Sequence, residues 1–274
     1  MENNTQTRAI EIVSKAAKQQ KIDFLLIGAY ARNLFLMGKP AVPIPRWTYD
    51  VDIACQVRNW REYQALVQTL IEKYEFRRDS SQTHRLLFGK EDMPLDIIPF
   101  GGIENDKGEI FWPPDFDTSL NVRGFKAALH SADEIKTGRT KVKVIKPPLF
   151  ALLKMLAYLD DNSRTKDLKD FYFVADNYLD IIDADARVYA DAAPDADILE
   201  KENFDCIAAG AELIGRDCVN IDKQLSSEIA ALISANNKND KLVIALSRAC
   251  ALSPANAERI ISGMLNEIIR RSAG

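Results

Sequence analysis

The chain has 274 residues, a length that predicts one large or two modest domains. Hydrophobic residues make up 47% and charged residues 28%, a balance typical of globular proteins that excludes a largely disordered chain. The 36 Lys and Arg against 40 Asp and Glu give a formal net charge of −4. This charge argues against a protein whose whole surface binds nucleic acid, although it allows a local basic groove.

Targeting and redox signals predict a cytoplasmic protein that has no contact with a membrane. No apolar stretch approaches the ~18 residues needed to cross a bilayer, and the polar start lacks the apolar core of a secretion signal. The four cysteines form no C-x-x-C pair, and the chain has two histidines, neither in a nucleophile motif. A zinc site, a disulfide framework and a histidine-based hydrolase triad are therefore not expected.

The first half of the chain alternates predicted helices and strands, separated by glycine- and proline-rich turns. The predicted elements are a helix (5–20), a strand (22–28), a short helix (30–38), a strand (49–57), a long helix (59–76), two adjacent strands (83–89 and 94–100), a structured loop or hairpin (101–119) and a last strand (141–146). This order predicts a mixed α/β domain over residues 1–146.

The pattern changes after Pro147 and Pro148, where every later segment has a helical period. Helices are predicted over 149–159, 166–179, 203–215, 223–237, 241–252 and from Pro254 to about Arg271, with Ser253 as the N-cap of the last one. We therefore predict an all-helical domain over residues 147–274.

Two aspartates, Asp50 and Asp52, stand two positions apart among apolar residues of the predicted strand 49–57. Side chains alternate across a strand, so both carboxylates point to one face, roughly 6–7 Å apart along the chain. At about 5 Å and an effective dielectric constant near 20, their repulsion is roughly 3 kcal/mol. A cation between them would explain why a half-buried strand tolerates this repulsion; solvated acids on an edge strand are the alternative.

A third acid, Asp96, interrupts the later apolar strand over 94–100. An aspartate in such a strand is costly unless it has a partner or binds metal. Three carboxylates from two strands form an oxygen-rich site suited to Mg²⁺. Other D-x-D pairs lie in turn-like stretches where solvated acids are the simpler interpretation: Asp115/Asp117, Asp183/Asp185 and Asp195/Asp197.

The turn that follows the first strand is typical of a phosphate-binding turn. The strand ends at Gly28 and a helix begins at about Tyr30, so free backbone N–H groups are available to phosphate and the glycine allows close approach. Arg32, Arg46 and Thr48 flank this turn, where they can contact phosphate oxygens. Ordinary surface positions are the alternative interpretation for these three residues.

A lysine, Lys154, interrupts a predicted helix that is otherwise apolar. Such a lysine either extends to the surface or meets a negative partner in a cleft. Roughly a dozen residues later, Asp167 and Asp170 lie three positions apart on one face of a helix. Solvated charges at a helix start explain that second motif equally well.

These motifs, in this order, resemble the polymerase-β-type nucleotidyltransferase superfamily. The resemblance lies in the strand–GA–helix turn, the T-x-D-x-D pattern of Thr48, Asp50 and Asp52, and the later strand aspartate Asp96. The finer resemblance is to AbiE/MenT-like nucleotidyltransferases, which are relatives of toxins from abortive-infection and type IV toxin–antitoxin systems. The matching segments run from about residue 24 to 172 and are FLLIGAYARNLFL, RWTYDVDIA, THRLLFG, LDIIPFGGIE, FWPPD, PPLFALLKMLAYLDD and RTKDLKDF.

The resemblance implies an α+β fold, in which a polymerase-β-like mixed sheet flanked by helices is followed by an all-helical C-terminal domain. That domain would contribute Lys154 and Asp167 to the cleft. The resemblance gives Asp50, Asp52 and Asp96 the catalytic and metal-binding roles, with Mg²⁺ or Mn²⁺ as cofactor. Nucleotide-binding roles fall on Gly28, Ala29, Arg32, Arg46, Thr48, Lys154 and Asp167.

One departure concerns Ala29, because the superfamily often has a serine at this turn whose hydroxyl contacts phosphate. Either Arg32 or Thr48 compensates for the missing hydroxyl, or nucleotide binding is weaker than usual.

The implied activity is metal-dependent transfer of an NMP from an NTP to an acceptor hydroxyl, with release of pyrophosphate. The acceptor is left open between tRNA, a protein and a small molecule such as an aminoglycoside, and so are a toxin role and an antitoxin partner. A basic path for tRNA is offered by Lys136, Arg139, Lys141, Lys143 and Lys146, for which a solvated strand face is the alternative.

Two other functions compete with this hypothesis. A catalytically degenerate homologue would bind nucleotide or a partner without transfer, and Ala29 is its best support. A metal-dependent glycosyltransferase using D-x-D fits the short glycine turn and the Lys154 motif poorly.

Overall fold

A computed structural model describes residues 4–37, 39, 42, 48–182, 184–236 and 240–273. The chain divides into two compact units, one formed by Met1–Phe35 with Arg46–Lys146 and the other by Leu36–Pro45 with Pro147–Gly274. The first unit contains a mixed sheet flanked by helices, and the second is helical. The predicted fold class, a mixed sheet with helices followed by an all-helical region, is confirmed.

Seven strands form the main sheet of the first unit, in the order β3-β4-β5-β2-β1-β9-β8. The pairs β2–β5 and β1–β9 are parallel, and the other neighbours are antiparallel. The strands are β1 (Phe24–Ile27), β2 (Val51–Val57), β3 (Phe76–Arg78), β4 (Arg85–Phe88), β5 (Met93–Gly101), β8 (Asp133–Thr137) and β9 (Thr140–Val144). A separate hairpin consists of β6 (Glu109–Phe111) and β7 (Ser119–Asn121).

The central strands β2 and β5 are buried along most of their length because apolar residues occupy both of their faces. Helices α1 (Asn4–Gln20) and α3 (Trp60–Lys73) pack against each other and against the sheet. Asn59 caps α3 by accepting a hydrogen bond from the Glu62 N–H at 3.0 Å. The first unit also contains the short helix α4 (Phe125–Ser131), and α2 (Gly28–Leu36) follows β1 directly.

The second unit is built around α9 (Cys206–Ile221), which packs against several of the other helices. Small residues allow this packing: a side chain at Gly210 would overlap the Ala175 carbonyl of α6. The other elements of the unit are α5 (Pro147–Asp160), α6 (Thr165–Asp176), α7 (Tyr178–Ile181), a π-helical turn (Asp185–Tyr189), α8 (Asp197–Lys201), α10 (Lys223–Asn236), α11 (Lys241–Cys250) and α12 (Pro254–Ala273).

Three elements of the first unit were not predicted, namely β3, α4 and β8. The predicted helix 59–76 is too long, because the backbone is extended at Tyr74 and β3 begins at Phe76. The edge strand β8 is mostly exposed, so its polar sequence carries no apolar alternation. Within the described residues, no helix is both long and apolar enough to span a bilayer.

Candidate active site

Strand register places an arginine, two aspartates and the end of β1 in one row across the sheet. Arg85 of β4 is opposite Asp96 of β5, Asp96 is opposite Asp52 of β2, and Asp52 is opposite Ile27 of β1. Neighbouring strands lie about 4.8 Å apart, and residues in register share a face of the sheet. We call Asp50, Asp52, Asp96 and Arg85 the acidic cluster. The register therefore brings together two of the three predicted carboxylates from separate strands.

The turn between β1 and α2 lies against the Asp52 carboxylate. Gly28 has a φ of +70°, and a Cβ at this position would overlap the side chain of Asp52. Only glycine adopts this conformation without strain and leaves room for the carboxylate. Ala29 is buried in the first turn of α2. The start of a helix, with its free N–H groups, therefore adjoins the acidic cluster.

The third carboxylate, Asp50, lies just before β2 and is held by a neighbouring hydroxyl. The Thr48 hydroxyl donates a hydrogen bond to Asp50 Oδ1. Gln6 of α1 donates from Nε2 to the Thr48 carbonyl at 3.0 Å and lies 3.4 Å from the Asp50 carbonyl. Gln6 is buried, and its role has no signal in the sequence because it is one polar residue in an amphipathic helix. Thr48 thus supports a carboxylate in this structure.

Asp96 is held by Arg85 through both carboxylate oxygens. Arg85 Nε donates to Oδ1 at 2.6 Å and a terminal nitrogen, Nη2, donates to Oδ2 at 2.8 Å, a bidentate geometry. This hydrogen bonding raises the pKa of Arg85, and the negative charges of Asp96, Asp50 and Asp79 act in the same direction. Asp96 is 7% exposed. The lone strand aspartate therefore has a protein partner, which the sequence analysis did not assign.

An aromatic group adjoins the Asp96 end of the row. His84 Nε2 lies 3.7 Å from Asp96 Oδ2, and the His84 ring contacts Trp112 with ring centres 5.9 Å apart. Trp60 and Tyr63 of α3 complete the group. Burial lowers the pKa of His84, more than the nearby Asp96 carboxylate raises it. A neutral histidine therefore stands beside the Arg85–Asp96 pair at neutral pH.

The predicted metal site can be tested against this arrangement. Carboxylate oxygens suit Mg²⁺ chemically. In the part of the chain that the structure describes, however, no three His, Cys, Asp or Glu side chains form a group that could hold a metal ion. Both oxygens of Asp96 are already bound by Arg85. As they are arranged here, Asp50, Asp52 and Asp96 therefore do not form a three-ligand metal site.

The predicted phosphate contacts near the turn have different surroundings. Arg32 is fully buried, 1% exposed, and its guanidinium donates to Asn33 Oδ1 at 3.0 and 3.3 Å. The alternative that Arg32 is an ordinary surface residue is therefore wrong. Arg46 lies outside the described residues.

In the helical unit, Lys154 of α5 meets two buried carboxylates of α6. Lys154 Nζ is 2.5 Å from Asp167 Oδ1 and 3.1 Å from Asp170 Oδ2. Arg164 also contacts Asp167, at 2.6 Å from Oδ2. Both aspartates are almost completely buried. The interpretation of these acids as solvated charges is wrong, because they form an internal ion-pair cluster with two basic partners.

Comparison with known proteins gives similarities to solved structures alone. No protein-family model matches the chain, and no curated protein matches it. ANT(2″)-Ia in complex with adenylyl-2″-tobramycin is 15% identical with a TM-score of 0.41, over 63% of this chain and 88% of that one. An antigenic nucleotidyltransferase-like protein from Paracoccidioides brasiliensis is 16% identical with a TM-score of 0.42, over 64% and 77%. The solution structure of the antibiotic-resistance factor ANT(2″)-Ia is 14% identical with a TM-score of 0.40, over 65% and 88%.

Proposed function

We propose that the protein is a nucleotidyltransferase of the polymerase-β type, which moves an NMP from an NTP to an acceptor hydroxyl. The observation that carries this proposal is the strand register, which sets Asp52 beside Asp96 and against Gly28 at the start of α2. Clustered carboxylates repel one another and favour a bound cation, and a helix start favours phosphate. A site that combines both features suits a nucleoside triphosphate and its counter-ion.

The proposed reaction is a displacement at the α-phosphorus. The acceptor hydroxyl oxygen forms a bond to the α-phosphorus, and the bond from that phosphorus to the α,β-bridging oxygen breaks. Pyrophosphate carries away the bridging oxygen, and the hydroxyl proton passes to Asp96 or to bulk water. The backbone N–H groups at Gly28 and Ala29 would bind the triphosphate, which fixes the reacting atoms in line.

Further nucleotide contacts belong to the same proposal. The resemblance assigns Arg32, Arg46, Thr48, Lys154 and Asp167 to the nucleotide. Lys154 meets two carboxylates, so a contact to phosphate requires that it leave at least one of them. Mg²⁺ or Mn²⁺ is the cofactor that the resemblance implies, and Asp96 can serve it only when Arg85 releases at least one carboxylate oxygen.

The acceptor is proposed as a class, a hydroxyl of tRNA, a protein or a small molecule such as an aminoglycoside. Two of the five basic residues that were predicted as a tRNA path have acidic neighbours: Lys143 lies 3.5 Å from Asp23 and Lys146 lies 3.4 Å from Asp133. These pairs reduce the positive charge available to a phosphate backbone. A toxin role, with an antitoxin as partner, belongs to the same proposal and follows from the resemblance alone.

A transfer assay tests the proposal across all candidate substrates. The purified protein is incubated with Mg²⁺ or Mn²⁺ and each α-labelled NTP in turn, with tRNA, a protein mixture or an aminoglycoside as acceptor. We expect label on one acceptor class and an equal amount of pyrophosphate. The variant Asp50→Asn should abolish both products and leave the fold intact, because loss of a charge relieves repulsion in the cluster.

A matched control is available in the exposed D-x-D pair of the β6–β7 loop. The double variant Asp115→Asn/Asp117→Asn removes two carboxylates at the same spacing, and both positions are exposed. We expect this variant to transfer label like the unchanged protein. Full activity of Asp50→Asn would contradict the assignment of the site.

Two observations favour a second function, nucleotide binding without transfer. Asp96 is occupied by Arg85, and Ala29 offers no hydroxyl to phosphate. Titration calorimetry with each NTP separates the two functions. A degenerate homologue would bind an NTP yet release no pyrophosphate with any acceptor, whereas an enzyme would do both.

A further inference from the structure

We propose that Arg85 is the internal counter-cation of Asp96 and competes with a divalent metal ion for that carboxylate. This inference rests on the proposed function, because it concerns the same acidic cluster. It explains why the three aspartates, within the described part of the chain, do not form a metal site although the register aligns Asp52 with Asp96. Arg85 is then a positioning residue that sets how readily the site takes up metal.

The geometry of the pair supports this role. Arg85 and Asp96 are opposite each other in the antiparallel β4–β5 pair, so the backbone fixes the distance between their side chains. The guanidinium binds both oxygens, at 2.6 and 2.8 Å. A carboxylate held in this way has lone pairs directed at nitrogen rather than at a metal. A metal ion could reach Asp96 only when at least one of these hydrogen bonds opens.

Electrostatic repulsion prevents the Arg85 guanidinium and a divalent metal ion from binding Asp96 at the same time. Arg85 lies within the field of Asp50 as well as Asp96, so its charge already neutralises part of the cluster. A divalent ion bound to the same carboxylates would repel the guanidinium across a few ångströms.

The ion pairs of the Lys154 cluster are arranged differently from the Arg85–Asp96 pair. In the Lys154 cluster, two basic residues face two acidic residues, so each charge has a partner. The acidic cluster differs because one guanidinium, that of Arg85, binds both oxygens of Asp96. Removal of Arg85 should therefore leave a stronger site for a divalent cation rather than a simple defect.

The test measures binding of Mn²⁺ alone, by electron paramagnetic resonance of free Mn²⁺ in the absence of nucleotide and acceptor. We expect Arg85→Gln to bind Mn²⁺ roughly tenfold more tightly than the unchanged protein, since a repelling positive charge is lost. Arg85→Lys, which keeps the charge but not the bidentate geometry, should show a smaller gain. If Arg85→Gln fails to fold, Arg85→Lys is compared with the unchanged protein instead, and it should also bind Mn²⁺ more tightly.

Two controls locate the effect. Arg77 of β3 pairs with Asp92 of the β4–β5 turn and is largely exposed, so Arg77→Gln should leave Mn²⁺ affinity unchanged. The double variant Arg85→Gln/Asp96→Asn should lose the gain of the single variant. Equal or weaker Mn²⁺ binding by the Arg85 variants would overturn the inference, and so would a gain that persists without the Asp96 charge.

This experiment does not depend on whether transfer is detected. Tighter Mn²⁺ binding in Arg85→Gln together with no transfer to any acceptor would support the role of Arg85 and reject the proposed function. Transfer by the unchanged protein with no effect of Arg85 on Mn²⁺ affinity would support the proposed function and reject the role of Arg85.

Discussion

Two groups of charged side chains, one in each unit, differ in size and in the arrangement of their charges. We call the group in the helical unit the Arg216 network; it joins α8, α9, α12 and the π-helical turn. It contains five basic and five acidic side chains, so its formal charges balance: Arg187, Lys201, Arg216, Arg270 and Arg271 with Asp195, Asp197, Glu212, Asp217 and Glu267. The acidic cluster of the sheet unit is smaller, and its one arginine, Arg85, binds one of its three carboxylates, Asp96.

Arg216, at the centre of the network, is a buried charge that is stabilised by acidic partners. Arg216 is 4% exposed and lies 2.7 Å from Asp195, 2.8 Å from Glu212 and 3.0 Å from Glu267. A buried charge that lost such partners would be strongly destabilising. Balanced charge therefore fixes the packing of helices in the Arg216 network, whereas the acidic cluster gathers carboxylates beside the glycine turn at Gly28. The comparison predicts that neutralising an acid lowers the proposed transfer activity in the acidic cluster and lowers the free energy of unfolding in the Arg216 network.

The largest expected effect is on transfer, in the acidic cluster. Asp52→Asn should lower kcat/KM at least about a thousandfold, or ~4 kcal/mol, because Asp52 lies between Asp96 and the glycine turn at Gly28. Its free energy of unfolding should change less than that of Glu267→Gln, since the asparagine amide has the size of the carboxylate and its oxygen can still accept a hydrogen bond. Label transfer and urea denaturation measure the two effects. An active Asp52→Asn variant, or one that is strongly destabilised, would remove the contrast between the clusters.

The converse change is Glu267→Gln in the Arg216 network. Glu267 is 2% exposed and contacts Arg216, Arg270 and Arg271. We expect the free energy of unfolding to fall by about 3 kcal/mol, because buried positive charge loses its partner. Urea denaturation checks this value. Glu75→Gln is the matched control, since Glu75 forms an exposed pair with Arg8 at 3.4 Å and its loss should leave stability unchanged within error.

Low pH should destabilise the Arg216 network, because Glu267 becomes protonated. Burial alone would raise the pKa of Glu267, but Arg270, Arg271 and Arg216 lower it to about 2, against an ordinary value of 4.5. A depressed pKa in the folded state gives stability that is present above pH 4.5 and is lost as the pH falls toward 2. The loss should approach about 3 kcal/mol. Urea denaturation across this range should show a shallower fall in Glu267→Gln; parallel curves would contradict the assignment.

Much of the acidic cluster was predictable from local sequence pattern. The apolar strands around Asp52 and Asp96 and the glycine turn were visible because burial requires apolar residues and the turn requires Gly28. The alignment of Asp52 with Asp96 was not visible, because the pairing of β2 with β5 joins strands separated by α3, β3 and β4. Arg85 belongs to the segment THRLLFG, which the sequence analysis predicted as a strand. A short hairpin from β4 to β5 could have indicated that Arg85 lies opposite Asp96.

The Arg216 network could not be predicted from the sequence, for a different reason. Its members are spread between residues 187 and 271, over several helices and a turn, and each one alone resembles an ordinary surface charge. The motif FDCIAAGAELIGRD contains Glu212 and Arg216, which are buried by contacts with distant segments. Tertiary packing, rather than local spacing, decides that these charges lie inside. The role of this motif in the structure is to carry the centre of the network.

The smallest effect that sharpens the comparison comes from the glycine turn. Gly28 and Gly89 have nearly equal φ values of +70° and +69°, but a Cβ at Gly28 would overlap Asp52 whereas nothing lies within 4 Å of one at Gly89. Gly89→Ala should therefore cost about 1 kcal/mol of backbone strain and leave transfer unchanged. Gly28→Ala should cost about 2 kcal/mol and also lower transfer, because it displaces the Asp52 carboxylate. Urea denaturation and label transfer on both variants separate strain from displacement. Equal behaviour of the two variants would show that the close approach of Gly28 to Asp52 has no part in the activity.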